Sequence, residues 1–518
     1  MGSDSSYRRR LRWTPPVAIL LAAIAAIGFM HFSERVESYI AAYLISAVIV
    51  LAIGSLFVWF VRFSGFEPRI RRRGAVGFIA LILVAAIAIK LTTRVQGVIN
   101  GVGVPKLVWR WSPRVGSELP PVAVESHATV DLTQTTPLDF PEFLGPGRRN
   151  ALEGIGLGRE WSHVPHLLWR QPIGAGWSSF AAVGRWAVTQ EQRGDCELVV
   201  CYEIANGKPQ WVHADDHTRF VDSQGGDGPR ATPTICGGRV FTMGATGILN
   251  CLDGSDGKVI WSRNGVGEPS QNLTYGKSCS PLIVDDKVVV TGGRGGPSLI
   301  AYAAADGTPV WSSGSESPGY ASPIFATLAN VRQIITINAH SVTAHDPADG
   351  HVLWRFDSPG SMPKNIQPIP LKGDQLLISA GYGLGTTLLK VNAAGGALSV
   401  APVWTSHHLK PKLTNNVVRG NYVYGLDDPG VLTCLDLSTG KRMWRNGSYG
   451  FGQLLRVDDL LLVQCESGEV ALVDPSPDGL HEIARFRALE NRTWSCPALV
   501  GHRLLVRNDQ EAACFELP

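Results

Sequence analysis

The chain has 518 residues and a nearly balanced charge, with 47 Lys and Arg, 44 Asp and Glu, and a formal net charge of +3. Much of the positive excess lies in the first 95 residues, so the rest of the chain offers no basic face for nucleic acid. The sequence also has no Walker loop, no Gly-x-Ser-x-Gly elbow and no His-Glu-x-x-His motif, which argues against the enzyme classes that use them.

Residues 1–95 are predicted to form a membrane region with three transmembrane helices. Apolar stretches cover about 15–32, 39–60 and 75–91, and each approaches the ~20 residues that a helix needs to cross a bilayer. Arginines cluster before the first stretch and between the second and third, whereas the first connector has one Arg against Glu34 and Glu37. The positive-inside rule then places the N-terminus in the cytoplasm and everything after Leu91 outside it. The predicted location is a bacterial inner (cytoplasmic) membrane, with the later residues facing the periplasm or cell exterior.

The first apolar stretch has a second interpretation, as a cleaved signal peptide. Its arginine-rich start fits, but no small-x-small cleavage site follows Met30 and two more apolar stretches come after it. Three retained helices are therefore the prediction. Residues 96–140, which are rich in Pro, Thr and Val without periodicity, are predicted to be an extended linker.

Residues 141–518 are dominated by an eleven-residue phrase that returns about every 40 to 50 residues. Most copies have a short apolar strand that ends at an acidic residue, a turn that contains glycine, and a second strand that ends in Trp. Glycine accepts the positive φ of such a turn, so the phrase predicts a β-hairpin. The clearest copies are residues 201–211, 251–261, 301–311, 344–354 and 434–444.

A second recurring phrase precedes each hairpin, and an apolar run lies between the two phrases. Each repeat therefore has four short strands, as in the blade of a propeller. The array begins at residues 166–173 and ends at residues 512–517, and pairing of these fragments would complete the last blade and close the ring. The prediction is an all-β, eight-bladed β-propeller of four-stranded antiparallel blades. The eight aromatics that end its outer strands are Trp169, Trp211, Trp261, Trp311, Trp354, Trp404, Trp444 and Phe486.

These phrases resemble the PQQ-binding-like β-propeller repeat, whose signature is Ala-x-Asp-x-x-Thr-Gly-x-x-x-Trp, over most of residues 140–518. The resemblance implies that each Trp docks one blade against the next. It also implies two kinds of relative: quinoprotein dehydrogenases, and outer-membrane-assembly lipoproteins that bind partner proteins without catalysis. The chain departs from both, because it has no adjacent cysteines or long inserts and no lipid-anchor cysteine near the N-terminus.

The nine cysteines all lie at or after residue 196, in the part predicted to be extracytoplasmic, where disulfides could form. Four of them, Cys201, Cys251, Cys434 and Cys514, occupy a repeat position that other copies fill with Ala. That exchange predicts buried free thiols, too far apart to bond with each other. A local bridge stays open for the other five, and no Cys-x-x-Cys zinc or haem pattern occurs.

The most polar irregular stretch, residues 212–230, is predicted to lie on one rim of the propeller. It is either a binding patch or a solvated loop whose Gly-rich end turns back into the blade. Arg230 is its strongest candidate, because it immediately precedes an inner strand at the central channel. A second Gly-rich loop, residues 292–297, either binds an anion through Arg294 or is a plain hairpin turn. The candidate patch comprises His213, Asp215, Asp216, His217, Arg219, Asp222, Asp227, Arg230 and Arg294.

These observations favour a membrane-anchored extracytoplasmic propeller that binds a protein or other ligand on its rim and is not an enzyme. The alternative, implied by the family resemblance, is a quinone (PQQ)-dependent oxidoreductase with quinone and calcium at the propeller centre. That chemistry needs acids that converge on a buried centre, whereas the acids here recur in repeat turns or lie in residues 212–230. Neither a cofactor nor a metal site is predicted, and the adjacent His407 and His408 are interpreted as a surface pair. The expected partners are the membrane and a protein at the rim.

Overall fold

The computed structural model of the protein describes residues 13–33, 36–99, 104–124, 129–161, 163–222, 224–266, 272–360 and 363–518. The chain divides into two compact units, Met1–Ser112 and Pro113–Pro518. This division differs from the boundaries expected after residues 95 and 140. The difference arises because β-structure after the third helix belongs to the first unit, while Val130 and Leu132 are already buried in the second.

The first unit contains three apolar helices, α1 (Thr14–Phe32), α2 (Ser38–Arg62) and α3 (Pro68–Thr92). All three are long and apolar enough to cross a membrane. α3 begins before the apolar stretch that predicted it, because a proline suits the first turn of a helix and arginine is a good helix former. Phe57 of α2 stacks on Phe78 of α3, with ring centroids 5.1 Å apart.

A β-hairpin follows α3 without a break, in a region that overlaps the predicted extended linker. It consists of β1 (Thr93–Ile99) and β2 (Val104–Trp109), paired antiparallel. The register shifts between Val95 and Val98, so the alternation of side chains is interrupted after three residues. Such a short alternation does not stand out in the sequence.

The second unit is an eight-bladed β-propeller of four-stranded antiparallel sheets, as the repeat predicts. Strand order within a blade follows the chain, from an inner strand at the axis to an outer strand at the circumference. β3 (Ala151–Leu152) and β4 (His166–Pro172) come before the first complete blade. The blades, in order, are β5–β8 (Ala181–Val183, Trp186–Arg193, Cys196–Glu203, Pro209–Asp215), β9–β12 (Thr234–Cys236, Arg239–Met243, Leu249–Asp253, Val259–Arg263), β13–β16 (Leu282–Val284, Lys287–Thr291, Leu299–Ala303, Pro309–Ser313), β17–β20 (Ile324–Leu328, Val331–Ile337, Ser341–His345, Val352–Asp357), β21–β24 (Ile369–Leu371, Gln375–Ala380, Gly385–Ala394, Ala397–Ser406), β25–β28 (Val417–Arg419, Tyr422–Asp427, Val431–Asp436, Arg442–Asn446), β29–β32 (Gln453–Val457, Leu460–Gln464, Glu469–Pro475, Leu480–Arg487) and β33–β35 (Ala498–Val500, Arg503–Arg507, Glu511–Glu516) with β4.

The ring is closed by the two ends of the repeat array. β4 pairs antiparallel with β35, with Trp169 opposite Cys514. The predicted closure is therefore confirmed, and blade 8 is built from both ends of the propeller sequence. Pairing the two fragments removes a pair of exposed sheet edges.

A tryptophan on most outer strands fastens one blade to the next, as the family resemblance implies. The indole Nε1 of Trp211 donates to the carbonyl oxygen of Gly254 at 2.9 Å, and that of Trp261 to Ala304 at 3.0 Å. The turn glycine of the next blade lies against the same ring: a Cβ on Gly257 would come within 2.5 Å of Trp211. Glycine is thus required at this repeat position both by its positive φ and by the neighbouring indole.

Blade 4 departs from this arrangement. Trp354 donates instead to the side-chain oxygen of Gln333 in its own blade, at 2.6 Å. The next blade lacks the repeat turn at this position, because its third and fourth strands, β23 and β24, extend to ten residues each and are joined by the two-residue turn of Gly395 and Gly396.

The nine cysteines are all free thiols. The four at the repeat position are fully buried, and each lies directly opposite a Trp on the neighbouring strand of its blade. The residue opposite the indole is Cys or Ala in six blades and Leu388 in blade 5, so the position takes a buried side chain of small to moderate size. The predicted packing role of these four cysteines is confirmed.

Residues 139–152, which we call the axial segment, cross the centre of the ring. Its first residues bond to the inner strands of blades 1 and 2, where Phe140 pairs with Ala182 and the carbonyl of Pro141 accepts from Ile235 at 2.8 Å. At its other end, β3 pairs in parallel with β29 of blade 7. Between these ends, Arg148 donates to the carbonyl oxygen of Pro323 beside the inner strand of blade 4, so the segment reaches opposite sides of the ring and lies across its axis.

Candidate functional site: the loop end of the propeller

The antiparallel blades give the ring two different ends. The connections from each outer strand to the next inner strand lie at one end, which we call the loop end. The short turns between the first and second strands of each blade lie at the opposite end, the turn end. All nine candidate residues named from the sequence lie at the loop end.

Arg230 turns back into its own loop. It pairs with Asp222 at 3.1 Å and donates to the carbonyl oxygens of Gly226 and Gly228 at 2.8 Å each. Its guanidinium lies 4.9 Å from the ring centre of Phe220, and only 10% of its side chain is exposed. Burial lowers the pKa of Arg230, while the Asp222 carboxylate opposes that shift. Arg230 therefore holds the shape of the loop that precedes β9.

A second ion pair stabilises the same loop. Arg219 pairs with Asp227 at 3.1 Å and also donates to the carbonyl oxygen of Gly194 in blade 1. Burial raises the pKa of Asp227, and the Arg219 charge opposes the rise. Four of the nine candidates thus form two ion pairs that fold the loop and dock it on the blade.

A polar cluster lies between blades 1 and 2. Asp215 accepts hydrogen bonds from the amide of Asn250 at 2.9 and 3.2 Å and lies 3.1 Å from the ring nitrogen of His213. Directly across the strand pair is Glu197, whose carboxylate accepts from the backbone N–H of Ala245 at 3.1 Å. Burial raises the pKa of Glu197 to about 8. The nearby charge of Asp215 acts in the same direction.

Glu197 was missed by sequence reasoning. Both faces of the strands β6 and β7 are buried, so the polar residues of this hairpin lie inside rather than alternating with solvent. The length of this hairpin was the available sign that blade 1 differs from the other repeats. Its two strands have eight residues each, whereas the second strand of blade 2 has five.

The remaining candidates are the more exposed ones. Asp216 accepts a contact from the thiol of Cys196 at 3.3 Å, and His217 has a left-handed φ of 57° in the turn that follows β8. Arg294 is exposed between β14 and β15, with its guanidinium 3.4 Å from the hydroxyl of Thr274. Burial raises the pKa of the Tyr320 phenol, and the positive charges of Arg230 and Arg294 oppose part of that rise.

Two pairs of partly buried aromatic rings lie at the loop end, on loops that precede inner strands. Trp177 and Trp494 lie 5.1 Å apart, and the guanidinium of Arg492 lies 4.0 Å from the second ring and 5.6 Å from the first. Tyr275 and Tyr320 form another pair at 5.4 Å. Three of the four rings, those at 177, 320 and 494, occupy matching positions shortly before an inner strand. That recurrence was the available sequence signal.

The recurring Ser or Thr before proline has a structural role just beneath these rings. The backbone N–H of Ser179 donates to the hydroxyl of Thr232 at 3.1 Å, that of Thr232 to Ser280 at 2.9 Å, and that of Ser280 to Ser322 at 2.9 Å. Each hydroxyl thus accepts from the preceding blade. This explains the second phrase of the repeat as a chain of hydrogen bonds between inner strands.

The centre of the ring holds a buried cation of the protein itself. Arg148 of the axial segment donates to the carbonyl oxygens of Ser280 at 3.1 Å and Pro323 at 2.8 Å, and also to that of Pro281. Glu142 balances its charge at 2.9 Å. Since the axial segment enters from the turn end, a ligand that reached the axis would have to approach from the loop end.

The residues at this end do not fit a calcium-bound quinone. Among the residues the structure describes, no three His, Cys, Asp or Glu side chains converge as a metal site. Asp222 and Asp227 are each paired with an arginine, and the Trp177 and Trp494 rings are in contact with each other and with Arg492.

The ring of eight blades, its Trp seams and its repeat define the chain as a PQQ-like β-propeller protein. A family model described as outer membrane protein assembly factor BamB matches residues 166–446. This match covers more than half of the chain, and the protein belongs to that family.

Curated relatives agree with the family. The chain is similar to the outer membrane protein assembly factor BamB of Moranella endobia, with 24% identity over 49% of this chain and 68% of that protein. It is also similar to the BamB of Shewanella oneidensis, with 25% identity over 52% of this chain and 78% of that protein.

Solved structures share the fold. The BamB structure from Moraxella catarrhalis superposes with a TM-score of 0.50 at 18% identity, covering 68% of this chain and all of that chain. The quinohemoprotein alcohol dehydrogenase from Comamonas testosteroni superposes with a TM-score of 0.53 at 13% identity, covering 74% of this chain and 81% of that chain. At these identities the likeness shows the fold alone.

Proposed function

We propose that the protein is a membrane-anchored, extracytoplasmic β-propeller that binds a protein partner at its loop end and is not a catalyst. The family match carries the proposal, because the matching relatives are named as factors of protein assembly. The three apolar helices supply the proposed anchor in the inner membrane.

The chemistry of the loop end supports binding of a protein. Partly exposed Trp and Tyr rings together with arginine are the residues that dominate protein interfaces. Two of these rings are held against the ion-paired loop that ends at Arg230: Trp177 donates to the carbonyl oxygen of Gly225 at 2.6 Å, and the hydroxyl of Tyr275 donates to the side chain of Gln224 at 3.0 Å. A preformed surface loses less conformational entropy on binding than a flexible one.

Site-specific photocrosslinking tests this proposal. A photoreactive residue is placed at Gln224 or Arg294, which are exposed at the loop end, and at Asp286 or Lys372, which are exposed at the turn end. We expect a discrete protein adduct from the loop-end positions in native membranes and much weaker labelling from the turn-end positions. Equal labelling at both ends would contradict the assignment of the surface.

The quinone alternative is tested on the same purified chain. We expect no dye reduction after quinone and calcium are added, and no change in the absorption spectrum of the quinone. Calcium-dependent reduction that is lost in an Asp222→Asn and Asp227→Asn double variant would overturn the non-catalytic assignment.

A further inference from the structure

The hairpin of β1 and β2 has one apolar face. Val95 lies opposite Leu107 and Thr93 opposite Trp109, so Val95, Leu107 and Trp109 project on the same side. Trp111 extends this face, since its ring stacks on Trp109 with centroids 5.1 Å apart and planes at 7°. The four apolar side chains on this face are 43% to 69% exposed. The described residues of their own unit do not cover them to the extent expected of such large apolar groups.

The other face and the base of the hairpin are basic. Arg94 and Lys106 project on the side opposite to the Trp rings, by the same register. Arg110 follows in the sequence, and residues 68–112, the rest of this unit from α3 onward, contain no Asp or Glu. A surface of this kind is complementary to an anionic one.

The hairpin is clamped to the last turn of α3. The hydroxyl of Thr93 donates to the carbonyl oxygen of Ile89 at 2.7 Å, and the backbone N–H of Arg110 donates to that of Thr92 at 2.8 Å. The side chain of Arg94 ties the other strand by donating to the carbonyl oxygen of Ser112 at 2.7 Å. The direction of the hairpin is therefore fixed by the helix.

The length of α3 sets the depth of the hairpin. The apolar stretch from residue 75 to 91 spans about 25 Å as a helix, close to the ~30 Å of bilayer hydrocarbon. The hairpin begins at Thr93, where the hydrocarbon ends if α3 crosses the membrane. Trp, Arg and Lys are the residues that favour this boundary.

We propose that the hairpin lies in the headgroup layer where α3 leaves the membrane. The apolar face, formed by Val95, Leu107 and the two Trp rings, contacts the acyl chains. The basic side chains contact anionic headgroups. This surface would be a second contact with the membrane, in addition to the helices. The inference rests on the membrane anchor of the proposed function. The binding energy comes from burial of the apolar face and from attraction between the basic residues and anionic lipid.

Lipid-attached nitroxide quenchers test the depth of the hairpin. The full chain, with the more exposed thiols removed by Cys196→Ser and Cys236→Ser, is labelled with an environment-sensitive fluorophore at Leu107→Cys, Leu83→Cys or Val403→Cys. It is reconstituted into vesicles of phosphatidylcholine and phosphatidylglycerol. We expect nitroxide near the headgroup to quench the label at 107, nitroxide near the acyl-chain end to quench the label at 83 in α3, and neither to quench the label at 403 on blade 5.

The outcomes distinguish failure of the interfacial hairpin from failure of the membrane anchor. Quenching at 83 without quenching at 107 overturns the interfacial hairpin and leaves the anchor intact. No quenching at either site overturns the membrane anchor itself. An apolar emission at 107 that lipid nitroxide does not quench shows that protein covers the face, and it also overturns the inference. Quenching at 107 that is unchanged in vesicles lacking phosphatidylglycerol overturns the role of anionic lipid.

Discussion

The guanidinium of Arg148 donates to the carbonyl oxygen of Pro323 at 2.8 Å, although the two residues are separated by 175 positions in the chain. The same side chain bonds to Ser280 of the preceding blade, and it is almost fully buried. A single residue outside the repeat thereby joins two blades at the centre of the ring.

Replacement of Arg148 should destabilise the propeller strongly. Arg148→Met removes the guanidinium from the carbonyl oxygens of Ser280 and Pro323 and leaves the Glu142 carboxylate without its cation, and we expect a loss of about 3 to 5 kcal/mol in the free energy of unfolding. Urea denaturation of the full chain in detergent measures this loss. The matched control is Arg149→Met, because Arg149 is exposed. Similar midpoints for the two variants would contradict the central role of Arg148.

The contact between turn glycine and indole predicts that alanine will destabilise the protein more at one glycine than at another with the same φ. Gly257 and Gly156 both have a φ of 75°, but a Cβ on Gly257 would meet Trp211 at 2.5 Å whereas one on Gly156 would meet no atom within 4 Å. Both Ala substitutions cost the backbone strain of about 1 to 2 kcal/mol. Gly257→Ala should cost about 1 to 3 kcal/mol more, through overpacking. Thermal melting of the two variants gives the comparison, and equal melting temperatures would rule out the indole contact as a determinant.

The seam tryptophans should each contribute as buried aromatics. Trp261→Ala should lower the free energy of unfolding by about 3 to 5 kcal/mol, because a large ring is removed from the contact between blades 2 and 3. Trp261→Phe retains most of the apolar area and loses the hydrogen bond to Ala304, so its effect should be smaller. An Ala variant that melts at the wild-type temperature would show that the seam does not depend on this ring.

Glu197 should make the propeller less stable as the pH rises. Its folded-state pKa is raised to about 8 from 4.5, so the folded state favours the protonated carboxyl. The stabilisation is fully present below about pH 4.5 and is lost as the pH rises through about 8. Glu197→Gln, which stays neutral, should therefore be more stable than wild type at high pH and similar to it at low pH.

A second carboxyl provides the opposite control for that measurement. The hydrogen bond from Arg485 lowers the pKa of Glu482, so Glu482 stabilises the fold at neutral pH and loses this effect as the pH falls. Glu482→Gln should be less stable than wild type at neutral pH. Denaturation midpoints across a pH series measure both variants, and parallel curves for Glu197→Gln and wild type would refute the raised pKa.

The orientation of the helices remains a prediction from the arginine distribution. A reporter inserted after Phe66, which precedes α3, should be active in the cytoplasm, and one fused after Pro518 should be active outside it. A C-terminal reporter that is active only in the cytoplasm would remove the extracytoplasmic location.

Repetition explains which features could be predicted. Trp211 and Gly257 recur at fixed spacing, so the blades, the seams and the closure through Trp169 and Cys514 were visible without a structure. Arg148 occurs once, and its partners lie far along the chain. Its role depends on long-range contacts that no local pattern encodes.

The placement of the candidate residues on one rim could be predicted, but their arrangement could not, and their role as a binding site stays a prediction. All nine residues lie at the loop end, yet the sequence could not show that Arg230 pairs with Asp222 inside one loop. A charged residue in an irregular segment looks the same whether it faces solvent or its own backbone. Glu197 was missed for a related reason, because burial of both strand faces removes the usual alternation.

The axial segment also determines how the propeller carries load. Under the proposed anchoring, tension along the chain from the first unit reaches residues 139–152 before it reaches β4. The parallel pair of β3 and β29 and the bonds of Arg148 connect this segment to several blades and would have to break before β4 is loaded. An anchor attached directly to β4 would instead peel one outer strand from blade 8, a hydrogen bond at a time. If the chain is tethered as proposed, its route through the axis makes the ring resistant to force at the point of attachment.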